Sequence, residues 1–553
     1  MQSLSLRKKR LTARSLPAAI LLIVSGCLTA EVAVAAAPGA YDIGTPSVAD
    51  LWVDPLSGND SNGGSSRADA LRTVAAAINR IPIRQTFSSR GYRLMLLPGT
   101  YGRGSVPGYI ESRYGTYDFP LIIQSAEGRG KAFLTGDLNL FDMKYFYLID
   151  LDIIPEPAGD VVRCERCDHL LIRGSQLDGG NREARETLKV NRSTNIFIEE
   201  STIEGADDNA IDFVSVQYGH VINSQIRNAR DWCMYAKGGS AYLRIEGNEI
   251  SECGAGGFTA GQRTGFQLMV EPWIHYEAYD IKVVNNIIHD VEGAGLGVRG
   301  GYNILLAHNT LFRVGARGHM IEVTFGLRSC DGKPGDPGRE LCAIYLLDGG
   351  WGTTRVSDGN NDVRIPNRNV FIYNNLLYNP AGFSSSRHFL VSPPYSGAAQ
   401  EDSNVEEVPT RADTNLQIRG NVISNPEGEL GIASGTGCGS SNPTCNETRV
   451  SMENVVNLVE PQLVYAIANN VRPIEGSNLS RFPPVAIPDF GWGDAPARPA
   501  VPVGNLSNAV LRDRDGVSRR PQNAAVGAYV LRVEILPDRN PPTRGRRRAT
   551  TRR

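Results

Sequence analysis

Apolar and polar positions repeat along the chain from about residue 170 to residue 423. The repeat contains an apolar column that consists of Leu177, Ile203, Ile226, Ile250, Ile288, Leu311, Leu377 and Ile423. Five residues before each member lies a second apolar column, which consists of Ile172, Ile198, Val221, Ile245, Val283, Leu306, Ile372 and Ile418. Two residues before each member lies a polar column, which consists of Ser175, Ser201, Ser224, Asn248, Asn286, Asn309, Asn375 and Asn421. Three of the successive steps are 23 or 24 residues long, and the longest steps require insertions.

A period in the low twenties predicts a solenoid, in which each repeat packs on its neighbours. Within each repeat the apolar residues alternate at the period of a strand. Serine and asparagine recur where one strand would bend into the next, and their side chains hydrogen-bond nearby backbone in turns. A leucine-rich repeat is the alternative at this period, but it has fixed leucines where this chain mixes Ile, Val and Leu. The sequence therefore predicts an all-β fold, a right-handed parallel β-helix.

The extent of the repeat predicts one long domain between two short terminal segments. We expect the β-helix to span residues 48–535, with an amphipathic helix over residues 68–81 that caps its N-terminal end. The long steps of the repeat place insertions near residues 262–279 and 326–366. Residues 536–553 form a basic, arginine-rich segment, which we expect to be a disordered tail.

The N-terminal 37 residues have the pattern of an export signal. A basic run from Arg7 to Arg10 precedes an apolar core, 18–24, that is too short for a membrane span. Cleavage before Cys27 would make a lipoprotein, whereas the small-x-small sequence at 33–35 suits ordinary signal peptidase. We therefore expect a secreted or periplasmic protein, or alternatively an outer-membrane lipoprotein anchored at Cys27, with no membrane span.

The nine cysteines and the net charge agree with that location. Apart from Cys27, the cysteines lie in neighbouring pairs: Cys164/Cys167, Cys233/Cys253, Cys330/Cys342 and Cys438/Cys445. Local disulfides are expected for an exported protein, although spacing leaves the connectivity open. The first pair is alternatively half a zinc site, but no second such motif accompanies it. The net charge of −2 gives no electrostatic basis for nucleic-acid binding, and we expect a monomer.

The register predicts which side chains leave the solenoid on one outer face. Eight residues after the first column, the inward positions are Leu188, Ile211, Met234, Phe258 and Leu296. Neighbouring strand residues point to opposite faces, so the residues between and after these are predicted to face solvent. That outer face carries Lys189, Asp212, Tyr235, Lys237 and Arg299.

An acidic turn precedes this face. Glu204, Asp207, Asp208 and Asp212 fall within nine residues of one another, beside a glycine. Four carboxylates so close are hard oxygen ligands of the kind that Ca²⁺ prefers. A solvated acidic turn without metal is the alternative.

Two stretches resemble a known group of enzymes. The strand, the loop SGNDSNGG, a helix and the strand ending in LPGTY resemble the N-terminal cap of secreted β-helix proteins that act on polysaccharides. The acidic turn followed one coil later by a lysine is similar to family-9-type pectate lyases and to the chondroitinase-B/alginate lyase group. The acidic spacing, Asp-Asp-x-x-x-Asp, is one residue longer than in the family-9 type, and the metal-binding Asn/Glu set of the second group is not evident.

The resemblance implies a chemistry and a site. Lys237 would be the base that removes the proton at C5 of a uronate, with Ca²⁺ held by Glu204, Asp207, Asp208 and Asp212. Arg299, or alternatively Arg263, would neutralise charge or assist departure of the leaving group. Arg299 would also favour the neutral form of Lys237. The predicted function is therefore an exported polysaccharide lyase that cleaves an acidic, uronate-containing polysaccharide by β-elimination.

Further residues are candidates for substrate binding, each with a plainer alternative. Lys189 could bind substrate or form a simple surface ion pair with Asp212. Trp273, His275 and Tyr276, in the first insertion, could stack on sugar rings or pack that loop on the barrel. Glu322 and Tyr235 are further candidates for contact with substrate. The alternative functions are a β-helix glycoside hydrolase, which needs two acidic groups beside the bond, and a non-catalytic glycan-binding surface protein.

Overall fold

The computed structural model describes residues 39–154, 159–270, 275–331, 335, 337–356, 362–425, 437–491 and 503–531. Residues from Tyr41 onward form one compact unit. The predicted signal segment with Cys27 and the predicted tail lie outside the described residues. Among the described residues, no helix has the length and apolar character needed to cross a membrane.

Parallel strands are the main regular secondary structure among the described residues. The largest sheet contains β1 (Val48–Val53), β2 (Gly91–Leu96), β4 (Tyr109–Glu111), β5 (Leu121–Ser125), β7 (Leu138–Phe141), β8 (Lys144–Ile149), β10 (Val162–Glu165), β11 (Asp168–Arg173), β13 (Leu188–Glu199), β15 (Ile211–Ile222), β17 (Trp232–Lys237), β18 (Ser240–Glu246), β20 (Gly256–Ala260), β22 (Ala278–Val284), β24 (Ala294–Arg299), β25 (Gly301–Ala307), β27 (His319–Thr324), β30 (Arg368–Tyr373), β32 (Arg387–Val391) and β33 (Gln417–Arg419).

A second sheet collects one short strand from each coil. It contains β3 (Gly99–Tyr101), β6 (Ala132–Thr135), β9 (Asp152–Ile154), β12 (Gln176–Asp178), β14 (Thr202–Glu204), β16 (Gln225–Arg227), β19 (Glu249–Ser251), β23 (Ile287–Val291), β26 (Thr310–Val314), β31 (Leu376–Tyr378), β34 (Val422–Ser424) and β35 (Val455–Val456). Two small sheets consist of β21 (Arg263–Gly265), β28 (Gly326–Ser329) and β29 (Val363–Ile365), and of β36 (Leu463–Tyr465) and β37 (Asn470–Pro473). The α-helices are α1 (Val74–Ile78), α2 (Pro337–Leu347), α3 (Ala398–Glu401) and α4 (Glu447–Glu453).

The stacking of the coils confirms the predicted β-helix. Leu177 pairs in register with Ile203, Ile203 with Ile226, and the same column continues through parallel pairs to Ile423. The second apolar column pairs in the same way. Both columns belong to one continuous buried core. Their burial along the length of the solenoid holds the coils together through apolar contact.

The serine and asparagine column forms a buried hydrogen-bond ladder. In each coil the backbone N–H of the column residue donates to the side-chain oxygen of the residue one coil later, from Ser175 through Asn421 to Asn454. From Asn248 onward the side-chain amide also donates to the next side chain and to a backbone carbonyl. The polar column therefore satisfies turn backbone that the apolar core would otherwise leave without partners.

The N-terminal cap differs from the predicted helix over 68–81. A 3₁₀ turn, Arg67–Asp69, and the short helix α1 are separated by Leu71, whose backbone pairs with β1. Thr73 caps α1 by accepting from the backbone N–H of Ala76, and Asp60 fixes the entry to this turn. The strand-like pairing of Leu71 interrupts the helix because it continues the edge of the sheet.

The two insertions pack on each other beside the solenoid. The first supplies β21 and a 3₁₀ turn, Phe266–Leu268, and the second supplies β28, α2 and β29. β28 pairs with both other strands, and Phe266 packs with Cys330, Cys342 and Tyr345. The insertions thus build a wall along the outer face of the largest sheet.

Four disulfides join the neighbouring cysteines. The pairs are Cys164–Cys167, Cys233–Cys253, Cys330–Cys342 and Cys438–Cys445. Local disulfides were the expectation from sequence, and the first bridge leaves no thiols at that motif for a zinc site. The third links Cys330, directly after β28, to Cys342 in α2 within the second insertion.

Candidate functional site

A groove of about 640 Å³ runs over the outer face of β10, β13, β15 and β17. One of its sides is formed by residues 262–265 together with Leu268 and Asp331 of the insertions. Its charged lining residues are Arg163, Glu165, Arg185, Glu186, Lys189, Arg192, Asp208, Asp212, Asp231, Lys237, Arg263 and Asp331. Equal numbers of acidic and basic side chains therefore line the groove.

The strand register places the groove residues in two columns. Lys189 pairs with Asp212 and Asp212 with Tyr235, whereas Lys237 follows Val214 in the adjacent column. This register matches the sequence prediction, but the predicted solvent exposure is wrong for two of these residues. Asp212 is 1% exposed and Tyr235 is 4% exposed. Lys189 contacts Asp212, and Tyr235 lies under Lys237 and packs with Trp232 and Ala294.

A buried acidic cluster surrounds the Lys189 ammonium. Lys189 Nζ donates to Asp212 Oδ2 at 2.5 Å and to Glu186 Oε1 at 3.4 Å. Asn209 holds Glu186 from the other side, through its backbone N–H at 2.9 Å and its side-chain amide at 3.2 Å. Burial, and then the charge of Asp212, raise the pKa of Glu186 well above the usual range of a glutamate. The sequence left two roles open for Lys189, substrate binding or an ion pair with Asp212. The structure shows the ion pair.

Lys237 lies in the same groove with different neighbours. Its ammonium donates to Gln262 Oε1 at 3.0 Å and lies 4.2 Å from the centroid of the Tyr235 ring. Among the described residues no carboxylate is at ion-pair distance from Lys237. The contact with the aromatic face and the hydrogen bond fix the position of the side chain without neutralising it.

A buried ion pair supports the turn that follows Lys237. Glu277 Oε2 accepts from the backbone N–H of Gly238 at 3.2 Å and from Thr264 Oγ1 at 2.5 Å. Glu277 Oε1 accepts from Arg328 Nη2 at 2.6 Å, and both side chains of this pair are fully buried. Glu277 therefore connects the end of β17 to both insertions.

The two predicted arginines lie in different places. Arg263 lines the groove and its Nε is 3.0 Å from Asp362 Oδ2. Arg299 does not line it; its Nε donates to Glu322 Oε1 at 2.5 Å in a separate depression further along the β-helix. Glu322 is buried and also contacts His319. The structure therefore does not bring Arg299 or Glu322 together with Lys237, because they lie on later coils of the face.

The predicted calcium ligands do not converge. Glu204 pairs with Arg227 at 2.7 Å and accepts from Gln176, on the second sheet, and Asp207 pairs with Arg230. Only Asp208 and Asp212 of the four line the groove, and Asp212 holds Lys189. Among the described residues no three of these carboxylates offer oxygens within 4.8 Å of one another. The predicted set therefore does not fit a calcium ion.

The predicted aromatic contacts with sugar are contradicted where the structure describes them. Tyr276 is fully buried among Tyr279, Tyr302 and Trp351. His275 is buried, stacks on Trp351 and contacts Gly349 O. These rings pack the first insertion on the second, so they are not available to a sugar. Trp273 lies outside the described residues.

Sequence reasoning missed several groove residues. Glu186, Asp231 and Gln262 lie in turns before or after strands, where the repeat carries no fixed pattern. The position of Glu186 three residues before Lys189 was the one available signal. Burial, and then the charge of Asp208, raise the pKa of Asp231.

Comparisons with known proteins agree with the architecture. The family model described as "Right handed beta helix region" matches residues 160–326. A comparison with curated proteins gives no match.

Several solved structures are similar to this chain. Pectate lyase Pel9A has 12% sequence identity over 89% of this chain and 98% of that chain, with a TM-score of 0.38. The PL6 family polysaccharide lyase Pedsa3628 from Pseudopedobacter saltans has 14% identity over 70% and 93%, with a TM-score of 0.40. The catalytic unit of a GH87 alpha-1,3-glucanase from Streptomyces thermodiastaticus has 14% identity over 68% and 67%, with a TM-score of 0.35.

Likenesses at these identities and TM-scores carry no argument about activity, and the three structures include two lyases and one glucanase. The fold rests instead on the strand register and on the matched region. Together these identify the chain as a right-handed parallel β-helix protein.

Proposed function

We propose that this chain is an exported polysaccharide lyase, secreted or periplasmic, that cleaves a uronate-containing polysaccharide by β-elimination. The observation that carries the proposal is the setting of Lys237. It lies in a charged groove, in contact with Tyr235 and Gln262, without a carboxylate at ion-pair distance among the described residues. The other groove lysine, Lys189, is bound to two carboxylates, so Lys237 is the lysine suited to act as a base.

The reaction assigns a simple role to Lys237. Its neutral amine removes the proton at C5 of the uronate, the electron pair forms the C4–C5 double bond, and the bond from C4 to the glycosidic oxygen breaks. The resulting ammonium then returns a proton to the departing oxygen. A positioned side chain acting in this way contributes about 10²–10⁴-fold to the rate.

The negative charge of the uronate carboxylate must be neutralised before the proton at C5 becomes acidic enough to be removed. Arg185 lines the groove and is exposed, so its guanidinium group is accessible to a carboxylate. Arg263 also lines the groove and is 44% exposed, although its Nε pairs with Asp362. Both signs of charge line the groove, which suits a polymer that presents carboxylates and hydroxyls together. Calcium, which the resemblance implies, supplies no step here because the predicted ligands do not converge.

Glycoside hydrolysis is the second candidate, and one observation favours it. Glu186 has a raised pKa and lies beside Asp212, which pairs with Lys189 at the base of the groove. Two carboxyl groups in contrasting surroundings are the usual arrangement for acid and base roles at a glycosidic bond.

Absorbance of the unsaturated uronate product tests the proposal. The purified protein is incubated with pectate, alginate and glycosaminoglycan, with and without EDTA, and reducing ends are measured in parallel. We expect ultraviolet absorbance to rise with one polymer and in step with the reducing ends. Reducing ends without absorbance would replace the lyase with the hydrolase. Binding without either signal would leave a non-catalytic glycan-binding protein.

A further inference from the structure

The acidic cluster at the base of the groove already contains a cation that the chain itself supplies. Lys189 Nζ lies between Asp212 Oδ2 and Glu186 Oε1, and the carboxyl groups of both are almost fully buried. The Lys189 side chain is 18% exposed, so its ammonium closes the cluster toward the groove. Buried carboxylates require a compensating charge, because an uncompensated one is strongly destabilising.

The cluster has the oxygens of a metal site but not its geometry. Asp212 Oδ1 is buried and accepts no hydrogen bond of normal geometry, whereas Oδ2 of the same carboxylate holds Lys189. The Tyr235 hydroxyl also lies beside this carboxylate. Asn191 Oδ1, in the adjacent column of the groove, is buried without a hydrogen-bond partner. Calcium would need six to eight such oxygens around one point, about 2.3–2.6 Å from it. The ammonium occupies the space between the carboxylates where that point would lie.

We propose that Lys189 replaces a divalent cation in this groove, so that the chain works without a metal there and gains a calcium site only when the ammonium is removed. In the wild-type protein the Lys189 ammonium bridges Glu186 and Asp212. Without it, their oxygens, Asp212 Oδ1 included, would be free to close on one Ca²⁺. The statement that catalysis needs no metal in the groove rests on the proposed function. The prediction that Ca²⁺ binds once Lys189 is replaced does not rest on it.

The electrostatics of the cluster agree with this arrangement. Burial by itself would lower the pKa of Lys189, but the charges of Asp212 and Glu186 raise it above the usual lysine value. Burial and the charge of Asp212 raise the pKa of Glu186, whereas the charge of Lys189 lowers it. The ammonium therefore supplies positive charge at the place where a bound cation would otherwise compensate the two buried carboxyl groups.

Calorimetric titration with CaCl₂ tests the proposal without reference to activity. We expect no saturable binding to the wild-type protein at the groove. The Lys189→Met variant keeps an unbranched side chain, one atom shorter than lysine, and removes its charge. It is expected to bind one Ca²⁺ with a dissociation constant of about 10⁻⁴–10⁻³ M, as in extracellular calcium modules. The double variant Lys189→Met/Asp212→Asn is expected to lose that binding. Lys237→Met is the matched control, since that lysine has no carboxylate at ion-pair distance among the described residues, and it should gain none.

Two results would overturn the proposal. One is calcium binding to the wild-type protein that Asp212→Asn abolishes. The other is a folded Lys189→Met variant with no calcium site. If Lys189→Met unfolds in the absence of metal, its thermal unfolding is followed with CaCl₂ present; recovery of a cooperative transition supports the proposal, and failure to recover overturns it. If the protein is inactive on every polymer, the proposed lyase function is wrong, but the calcium-binding result still tests the role of Lys189.

Discussion

Two lysines in one groove differ in their partners, and the difference decides which of them can do chemistry. Lys189 is bound to Asp212 and Glu186, whereas Lys237 contacts an aromatic face and an amide oxygen. An ammonium with two carboxylate partners keeps its proton. Lys237 is held in position by neutral groups, and no carboxylate among the described residues engages its amine.

Substitution of Lys237 is the prediction that belongs to this residue. Lys237→Ala should reduce kcat/KM on the cleaved polymer by about 10²–10⁴-fold, because it removes the base from the groove. Lys144→Ala is the matched control: Lys144 also lies over a tyrosine ring, that of Tyr114, but not in the groove, and its loss should leave the rate unchanged. Equal losses in the two variants would argue for a structural effect, and unchanged activity in Lys237→Ala would remove it as the base.

At the scale of the element, the polar ladder is what the coils share. Asn309 Oδ1 accepts from the backbone N–H and the side-chain amide of Asn286, and its own amide donates to Val283 O and Asn375 Oδ1. Asn309→Ala would leave these buried groups without partners at no gain in packing. We expect it to lower the free energy of unfolding by about 3 kcal/mol.

The control is a residue of the same ladder whose side chain makes fewer hydrogen bonds. Ser201 accepts only from Ser175 among the ladder residues and donates to Glu199 O, so Ser201→Ala should cost about 1 kcal/mol. Chemical denaturation of the two variants measures the difference. If both variants lower the free energy of unfolding by similar amounts, the side-chain amide hydrogen bonds do not stabilise the solenoid more than the turns do.

The repeat could be predicted from sequence because one chain period maps onto one coil. Ile226 and Ile250 lie 24 residues apart in the sequence and pair directly in neighbouring coils. The spacing of the repeat therefore predicts which residues pair along the column. The register likewise predicts that one face carries Lys189, Asp212, Tyr235 and Lys237. The helix expected over 68–81 failed because Leu71 pairs with β1, a tertiary contact that local propensity does not contain. Glu186 and the burial of Tyr276 depend on turns and insertions, which have no period, so they could not be predicted.

The wall of the groove also depends on one buried ion pair. Glu277 and Arg328 are fully buried, and Glu277→Gln would remove the carboxylate charge that pairs with this buried guanidinium. We expect a loss of about 3–5 kcal/mol in the free energy of unfolding. Glu292→Gln is the matched control, since Glu292 and Arg317 form a pair that is 64% and 58% exposed, and its loss should be close to zero. Comparable losses in the two variants would contradict the assignment.

At the scale of the whole molecule, the buried histidines should make the solenoid sensitive to acid. His308 is fully buried, and burial, followed by the charge of Arg519, holds its pKa well below the usual histidine value. His388, at the start of β32, has its pKa lowered to about 4 by burial. Each is therefore neutral in the folded protein at a pH where the unfolded chain would bind a proton.

The sign of the effect follows from where the proton binds. Below about pH 6.5 the unfolded chain takes up a proton at His388 that the folded protein refuses, so stability is lost as the pH falls from there toward 4. For this one group the loss between pH 7 and pH 5 is about 2 kcal/mol. Thermal unfolding of the wild-type protein and of His388→Phe at the two pH values measures it. The drop in Tm on acidification should be smaller in the variant, because the other titrating groups are common to both proteins. An equal drop in Tm in both proteins would show that His388 is protonated in the folded state. Burial would then not keep the imidazole neutral.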